Sequence, residues 1–463
     1  MSSKKPTSKK EPPQTVKGMH DVIGSEYYAL EGFLEKASEI AMYYGFQPIE
    51  TPVLEKEELF RSGIGEGTDI VDKEMFAFRT KGGDHVVMRP EGTASVIRAY
   101  IEHGMQSWPQ PVMLYYKGPF FRHETPQRGR FRQFTQFGLE ILGTPKSIAD
   151  AHVIHASAVI AHEAGLQNII FEVNSIGDKE CRPRYVRELA NYYKRNAGDI
   201  CSDCKRRLKE NPLRLLDCKN EKCQGVKENA PQAVTTLCDA CRKHFKEVLE
   251  YLEALNIPFR LNNNLVRGLD YYTRTVFEMV ENPDDAESEE SDTGEKEAKS
   301  PPAGKTGKQA GNSEEKSPRW LALGGGGRYD YLARQLGYRK EVPAVGASYG
   351  AERWFLSKDF ERMNPRIVKQ PKIYFIQLGF DAKLKSLGII EILRKAKVPI
   401  TQSLAKDSLG SQLAQAEKQN IPYAIIFGQK EAIDDTVIVR DMNTRSQDTV
   451  AVKELAKYLK GMK

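Results

Sequence analysis

A chain of 463 residues corresponds to about three domains at ~150 residues each. With 69 Lys and Arg against 63 Asp and Glu, the formal charge is +6, a mild basicity that permits a nucleic-acid partner without requiring one. Hydrophobic residues at 40% and aromatics at 9% exclude disorder throughout, and no apolar run approaches the ~18 residues of a membrane helix.

The N-terminus, MSSKKPTSKKEPPQ, has no apolar segment and is no secretory signal, so the expectation is a cytoplasmic protein with no membrane contact. Residues 1–15 are expected to form a solvated basic tail. Over 26–44 the apolar positions Leu30, Phe33, Leu34, Ala37 and Ile40 recur at helical spacing. Gly45 and Pro48 then end that helix ahead of an extended run, 49–54. Two β-favouring runs, 112–116 and 136–142, flank a basic stretch at 122–132. A helix-rich stretch, 183–255, carries most of the cysteines and reads as an insertion, and 265–280 reads as strand again.

Composition then collapses. Residues 281–318 are Glu, Ser, Asp, Lys, Gly and Pro with almost nothing apolar, and are expected to be disordered. Order resumes at Trp320, before Gly324 to Gly327 and Arg328-Tyr329-Asp330. After a linker at 364–371 the pattern alternates: strands at 373–378, 399–403, 423–427 and 436–440, helices at 382–396, 409–419 and 452–459. That is a small α/β domain with a mostly parallel sheet and no glycine-rich phosphate loop.

The chemistry concentrates in YKGPFFRHETPQRGRFRQFTQFGLEILG, 116–143. It places Arg122, His123, Glu124, Arg128, Arg130 and Arg132 on or beside one loop. Clustered guanidiniums repel unless carboxylates or a polyanion lie among them. Period-two alternation points Gln136, Gly138 and Glu140 to one face of a strand. A solvated charged hairpin is the other reading, and spacing alone does not separate the two.

Six of seven cysteines fall between 201 and 241, as Cys201-x2-Cys204, Cys218-x4-Cys223 and Cys238-x2-Cys241, with Cys181 apart. Such spacing fits structural zinc. Six ligands exceed one tetrahedral ion. The expected set is Cys201, Cys204, Cys238 and Cys241, with Cys218 and Cys223 as alternatives; free thiols in a small helical module are the competing reading. Nearby Lys205, Arg206, Arg207 and Arg214 would suit a nucleic-acid partner, or are surface charge.

The segment Phe121-Arg122-His123-Glu124, closing in Gln136-Phe137-Gly138-Leu139-Glu140, resembles motif 2 of class II aminoacyl-tRNA synthetases, specifically the histidyl-tRNA synthetases. The resemblance continues through KGMHD (17–21), 44–54, RSGIGEGTDIVDKEMF (61–76), Arg89-Pro90-Glu91-Gly92-Thr93, LVRGLDYYTRTVFE (265–278), 324–330, and motif 3 at 346–353. Ala351 and Trp354 depart from that family's motif 3, which has a larger aliphatic residue and Leu there.

The resemblance implies an α+β fold: an antiparallel class II catalytic sheet in two pieces, 16–178 and 259–363, a helical Cys-rich insertion at 179–258, and a C-terminal α/β anticodon-binding domain at 372–463. It implies a histidine–tRNA ligase that activates L-histidine with ATP and Mg²⁺ and transfers it to the 3′-terminal adenosine of tRNA(His), as a homodimer through motif 1 near 44–54. Arg122, Arg267 and Arg353 would be catalytic, and Arg122, Glu124, Arg130 and Arg353 would bind ATP. Glu91, Gly92, Thr93, Gln136, Glu140, Arg267, Tyr271 and Tyr272 would bind histidine, and Gln127 and Arg128 the tRNA acceptor end. The four glycines would admit backbone close to the ligand. A different class is also implied by the scaffold: a non-catalytic histidine-sensing subunit that regulates ATP phosphoribosyltransferase. It would lack the C-terminal domain and parts of the 265–278 peptide, both present here.

Overall fold

The structure is a computed structural model and describes residues 12–65, 68–281, 322–369 and 371–461. Most of the basic tail and all but one residue of the acidic insert therefore lie outside the described residues. Two units emerge, Met1–Pro365 and Arg366–Lys463.

The first unit is built on one large sheet. Its strands are β1 (Gln47–Pro48), β2 (Val112–Phe121), β3 (Gln133–Leu142), β4 (Ile169–Ser175), β5 (Phe259–Leu261), β6 (Thr273–Glu281), β7 (Ala322–Arg328) and β8 (Ala344–Gly350). The spatial order is β1-β2-β3-β8-β7-β6-β4-β5. The six inner strands are antiparallel, while β1 and β5 add parallel edges.

The expected alternation along β3 holds. Phe137, Leu139 and Ile141 enter a core shared with the helices Ser25–Tyr43, Ser147–Glu163 and Asp239–Ala254. Gln136 and Glu140 point to the opposite face, where they are also buried. The helix Ser25–Tyr43 buries Leu30, Phe33, Leu34, Ala37 and Ile40, the stripe its spacing requires. Trp354 is fully buried, stacks near Phe33 at 5.0 Å, and donates its indole N–H to the Leu323 carbonyl at 2.9 Å. Ala351 lies in the same core, so the small and large departures of motif 3 share one packing site.

Two expectations shift. Strand begins only at Thr273; in the stretch before it, the Leu265 N–H turns back to the Asn262 carbonyl and the Asp270 N–H bonds Ile64. Within 49–54, regular strand is found only from Leu54, where Leu54–Lys56 joins a separate three-stranded sheet with Phe76–Arg79 and His85–Met88.

The second unit has strand order Ile400–Gln402, Ile373–Gln377, Tyr423–Phe427, Thr436–Asp441, Gln447–Ala451. Its first two pairings are parallel and its last two antiparallel. The unexpected strand Gln447–Ala451 is polar and mostly exposed at the sheet edge, where charge and polarity limit further pairing.

Arg328 ends β7 with no solvent exposure. Its guanidinium grips Asp150, bonds Asp330 at 3.0 Å, and donates to the carbonyls of Thr144 at 2.9 Å and Lys146 at 3.1 Å. His244 contacts Asp150 at 3.2 Å. Burial alone would raise the Asp150 pKa, but Arg328 and His244 outweigh it and bring it down to about 2. Asp150→Asn leaves the buried guanidinium with Asp330 as its remaining carboxylate partner and is expected to lower unfolding free energy by about 3 kcal/mol. A urea titration would show this as a lower midpoint at unchanged slope; an unmoved midpoint would contradict it.

Candidate functional site

On the sheet face opposite the helices, β2 and β3 project into a long hairpin whose loop carries the arginines. Its tip closes through a Gln127–Arg130 bridge, leaving Gln127 and Arg128 exposed. The root is ordered. Arg122 donates to the Pro90 carbonyl at 2.8 Å, lies over the Phe134 ring at 5.5 Å, and faces Glu124 at 3.9 Å. Arg130 reaches the other Glu124 oxygen at 3.2 Å. Arg353, from the short helix after β8, donates to the Ala322 carbonyl at 3.1 Å. Burial, with Arg130 and Arg122 beside it, lowers the Arg353 pKa. Arg122, Arg130 and Arg353 thus crowd together, with Glu124, Glu74 and Glu278 offsetting them only in part, as Arg353's lowered pKa shows, and such a concentration of positive charge suits a polyanion.

Two cavities adjoin here. The larger is lined by Arg122, Glu124, Arg130, Gln136, Arg267, Glu278, Gly324, Ser348 and Arg353. The smaller is lined by Glu91, Thr93, Arg122, Arg267, Tyr271, Tyr272 and Ser348. Arg122, Arg267 and Ser348 belong to both and form the shared wall. Arg267 is held by Glu278 at 2.5 Å. Burial would lower its pKa, but Glu278 outweighs that and the guanidinium stays firmly charged.

The glycine run serves this wall differently from the expectation. It is strand β7, packed between β8 and β6. A Cβ on Gly325 would lie 2.6 Å from the Phe277 carbonyl and 2.8 Å from Arg267 Nη1. The missing side chains thus make room for neighbouring strands and for Arg267, and only Gly324 of the four lines the larger cavity. Gly92, just before the helix Thr93–Glu102, is required by the Tyr116 ring, which a Cβ there would meet at 2.2 Å.

Behind the smaller cavity lies buried acid. Glu91 accepts backbone N–H groups of Thr93 at 2.7 Å and Ala94 at 2.9 Å, and the Tyr271 hydroxyl at 3.3 Å. Burial still raises its pKa. Glu140 is fully buried; Thr93 Oγ1 donates to it at 2.8 Å and the Tyr329 hydroxyl bonds its other oxygen. Burial pushes its pKa up to about 8 against those hydrogen bonds, with Glu91 adding to the rise. Gln136 donates to Ser348 Oγ at 3.0 Å, while its buried Oε1 has no hydrogen-bond partner. Tyr329, Ser348 and Glu278 were not singled out from sequence, although each lies inside a motif segment.

The cysteines divide otherwise than expected. Cys201 and Cys204 gather with Cys218 and Cys223, all four sulfurs within 4.8 Å of one another. Cys238 and Cys241 do not join them. They start the helix Asp239–Ala254, whose Phe245, Val248 and Leu252 pack into the catalytic core, far from the insertion's own core of Tyr185, Leu189, Tyr193 and Leu215. The expected quartet of Cys201, Cys204, Cys238 and Cys241 is therefore replaced by Cys201, Cys204, Cys218 and Cys223. Two of the basic residues beside them are also engaged: Asp69 pairs with Arg214 and, at 3.6 Å, with Arg207.

A family model described as histidyl-tRNA synthetase matches residues 18–287, and an anticodon-binding-domain model matches 372–462. The histidine–tRNA ligase of Dehalococcoides mccartyi strain 195 is 39% identical over 442 residues, covering 96% of this chain and 98% of that protein. That of Aquifex aeolicus is 39% identical, covering 96% and 99%. Apo S. aureus histidyl-tRNA synthetase superposes with TM-score 0.74 at 27% identity, covering 97% of this chain and 100% of that one.

The acid behind the pocket carries a stability cost with a defined pH course. An unperturbed Glu titrates near 4.5, and folded Glu140 near 8. Between those values the folded chain holds the extra proton, so this group's contribution becomes less favourable as pH rises through the interval. Glu140→Gln removes the titration. Its stability relative to wild type is expected to rise from pH 5 to pH 8 by up to about 4 kcal/mol. Thermal unfolding of both proteins at the two pH values measures this, and a pH-independent difference refutes the buried, protonated Glu140.

Proposed function

The chain belongs to the histidyl-tRNA synthetase family and ligates histidine to tRNA, and on that premise we propose how its residues divide the work. The observation that carries the proposal is the wall of Arg122, Arg267 and Ser348 between two cavities, one flanked by Arg130 and Arg353 and the other backed by the buried carboxylates Glu91 and Glu140. ATP occupies the cationic cavity, held by Arg122, Glu124, Arg130 and Arg353. Histidine occupies the other, which buried Glu91 and Glu140 back. Glu91, Thr93 and, from the larger cavity beside the shared wall, the unpartnered Gln136 Oε1 take its ammonium group, while Tyr271 lines the pocket. Tyr272 and Glu140, which meets the cavity at Thr93, take the imidazole nitrogens.

At the shared wall the histidine carboxylate attacks the α-phosphorus of ATP. A C–O–P bond forms, the α–β phosphoanhydride breaks, and pyrophosphate leaves. The carboxylate is already ionised at neutral pH, so no general base is needed. The rate gain comes from positioning the carboxylate and from fixed positive charge at Arg122 and Arg267. A terminal-adenosine hydroxyl of the tRNA then attacks the acyl carbon, and AMP departs.

Magnesium accompanies ATP in this reading. Glu124 and Glu278 present carboxylate oxygens in the larger cavity, donors that suit a hard cation. When bound, the ion neutralises phosphate charge. Exposed Gln127 and Arg128 reach the tRNA acceptor end, and residues 372–462 read the anticodon.

A homodimer forms through motif 1, where Tyr43, Val53 and Leu54 are exposed apolar residues. The protein works in the cytoplasm, in keeping with its seven cysteines, none of which is in a disulfide. A structural zinc occupies Cys201, Cys204, Cys218 and Cys223. Two Sγ–Sγ pairs there are 3.9 Å apart, close to the ~3.8 Å edge of a tetrahedron with ~2.3 Å zinc–sulfur bonds. Backbone N–H groups of Cys201 and Asn220 already point at Cys223 and Cys218 sulfurs.

The regulatory-subunit alternative is not favoured. The chain matches histidine–tRNA ligases over nearly its full length and carries the anticodon-binding domain.

The deciding experiment is ATP–pyrophosphate exchange with each amino acid in turn; exchange with histidine alone is expected. Arg267→Ala should lower the exchange rate by about 10²–10³-fold while leaving histidine affinity within about tenfold of wild type. Equal losses in rate and affinity would remove Arg267 from the catalytic step.

A further inference from the structure

Cys181 stands apart in the sequence but not in the fold. Its thiol, with Asp178, Cys238 and Cys241, forms a second cluster whose donor atoms all lie within 4.8 Å of one another. Asp178, Cys181 and Cys241 are buried and Cys238 is half-buried. Cys181 Sγ lies 3.7 Å from Asp178 Oδ1.

The two clusters are built alike. Cys201 immediately precedes the helix Ser202–Glu210 and Cys204 lies in its first turn. In the same way Cys238 precedes the helix Asp239–Ala254 and Cys241 lies in its first turn. Asp178-x2-Cys181 repeats the two-residue spacing, with Cys181 directly before the helix Arg182–Arg195. Free N–H groups at helix starts stabilise anionic sulfur. Asp178 is oriented as a ligating carboxylate is: Oδ2 accepts from Arg274 at 3.1 Å and Oδ1 from the Glu180 N–H at 3.0 Å. On the cysteine side Oδ1 accepts from the Cys181 thiol, the lone pair that a bound ion would take once that thiol is deprotonated. Outer hydrogen bonds of this kind fix first-sphere ligands, and Arg274 offsets part of the charge of three thiolates and a carboxylate.

We propose that Asp178, Cys181, Cys238 and Cys241 bind a second zinc ion, in a closed four-ligand site with a structural role. Its ligands come from just beyond β4, from the start of the helical insertion and from the head of the insertion's last helix, so the ion fastens that helix to the root of the insertion beside the catalytic sheet. The Arg274 N–H bonds the Gly177 carbonyl at 2.7 Å, which joins that root to the start of β6, directly after Tyr271 and Tyr272.

The test is zinc content by plasma mass spectrometry on full-length protein purified without chelator, with free thiols titrated in parallel. About two zinc ions per chain are expected in wild type, about one in either Cys204→Ser or Cys241→Ser, and none in the double variant. One ion in wild type that Cys204→Ser loses and Cys241→Ser keeps would overturn the second site and leave the first. The reverse pattern would support the second site alone. A zinc-free wild type that lacks two free thiols would identify a disulfide and overturn the proposal. Should Cys241→Ser fail to fold, cobalt-substituted wild type decides: two spectrally distinct thiolate-bound cobalt ions are expected, and a single sulfur-only species would overturn the site.

Discussion

Arg328 holds a full positive charge where no water reaches it, and the catalytic sheet is organised around keeping that charge satisfied. Its partners lie on the helix Ser147–Glu163, on the chain leading into that helix, and at Asp330 just beyond β7. Through Asp150 it also engages His244, on the helix that closes the insertion. A buried ion pair of this kind adds little net stability over an apolar replacement, but losing one partner is expensive. The constraint therefore selects one arrangement: β7 is held at fixed depth between β6 and β8, and with it the side-chain-free surface on which Arg267 rests.

The opposite sheet face accepts a different compromise. Positive charge is crowded at Arg122, Arg130 and Arg353, and carboxylates are buried at Glu91 and Glu140. Neither grouping favours the empty fold. Both suit ligands of opposite charge, which is how a site can be poorly satisfied alone and well satisfied when occupied. In the proposed division of the site, the boundary between them is where the histidine carboxylate meets the α-phosphate.

Much of this was legible from sequence because it rests on local periodicity. The stripe on Ser25–Tyr43 and the alternation along Gln133–Leu142 fix which faces are buried, whatever packs on them. Where tertiary partners decide, the sequence was silent or misleading. Residues 265–272 are apolar and aromatic enough to read as strand, yet they serve as pocket wall. Glycines 324–327 suggest a ligand-facing loop, but carrying no Cβ answers to strands on either side. The cysteine partition depends on which core the helix Asp239–Ala254 joins, and no spacing rule carries that information. Cys181 could not be matched with partners some sixty residues away, because the sheet alone brings them together.

One consequence follows from the acid behind the smaller cavity. With Glu140 near 8, the pocket holds at neutral pH a proton that a free carboxylate would have released. A cationic ammonium and a hydrogen-bonding imidazole placed against this group favour its ionised form, so filling the pocket expels that proton into the medium. Histidine capture is then an exchange of one cation for another. In the proposed assignment its measured heat depends on which buffer receives the displaced proton, and its apparent affinity weakens as acidity competes for Glu140.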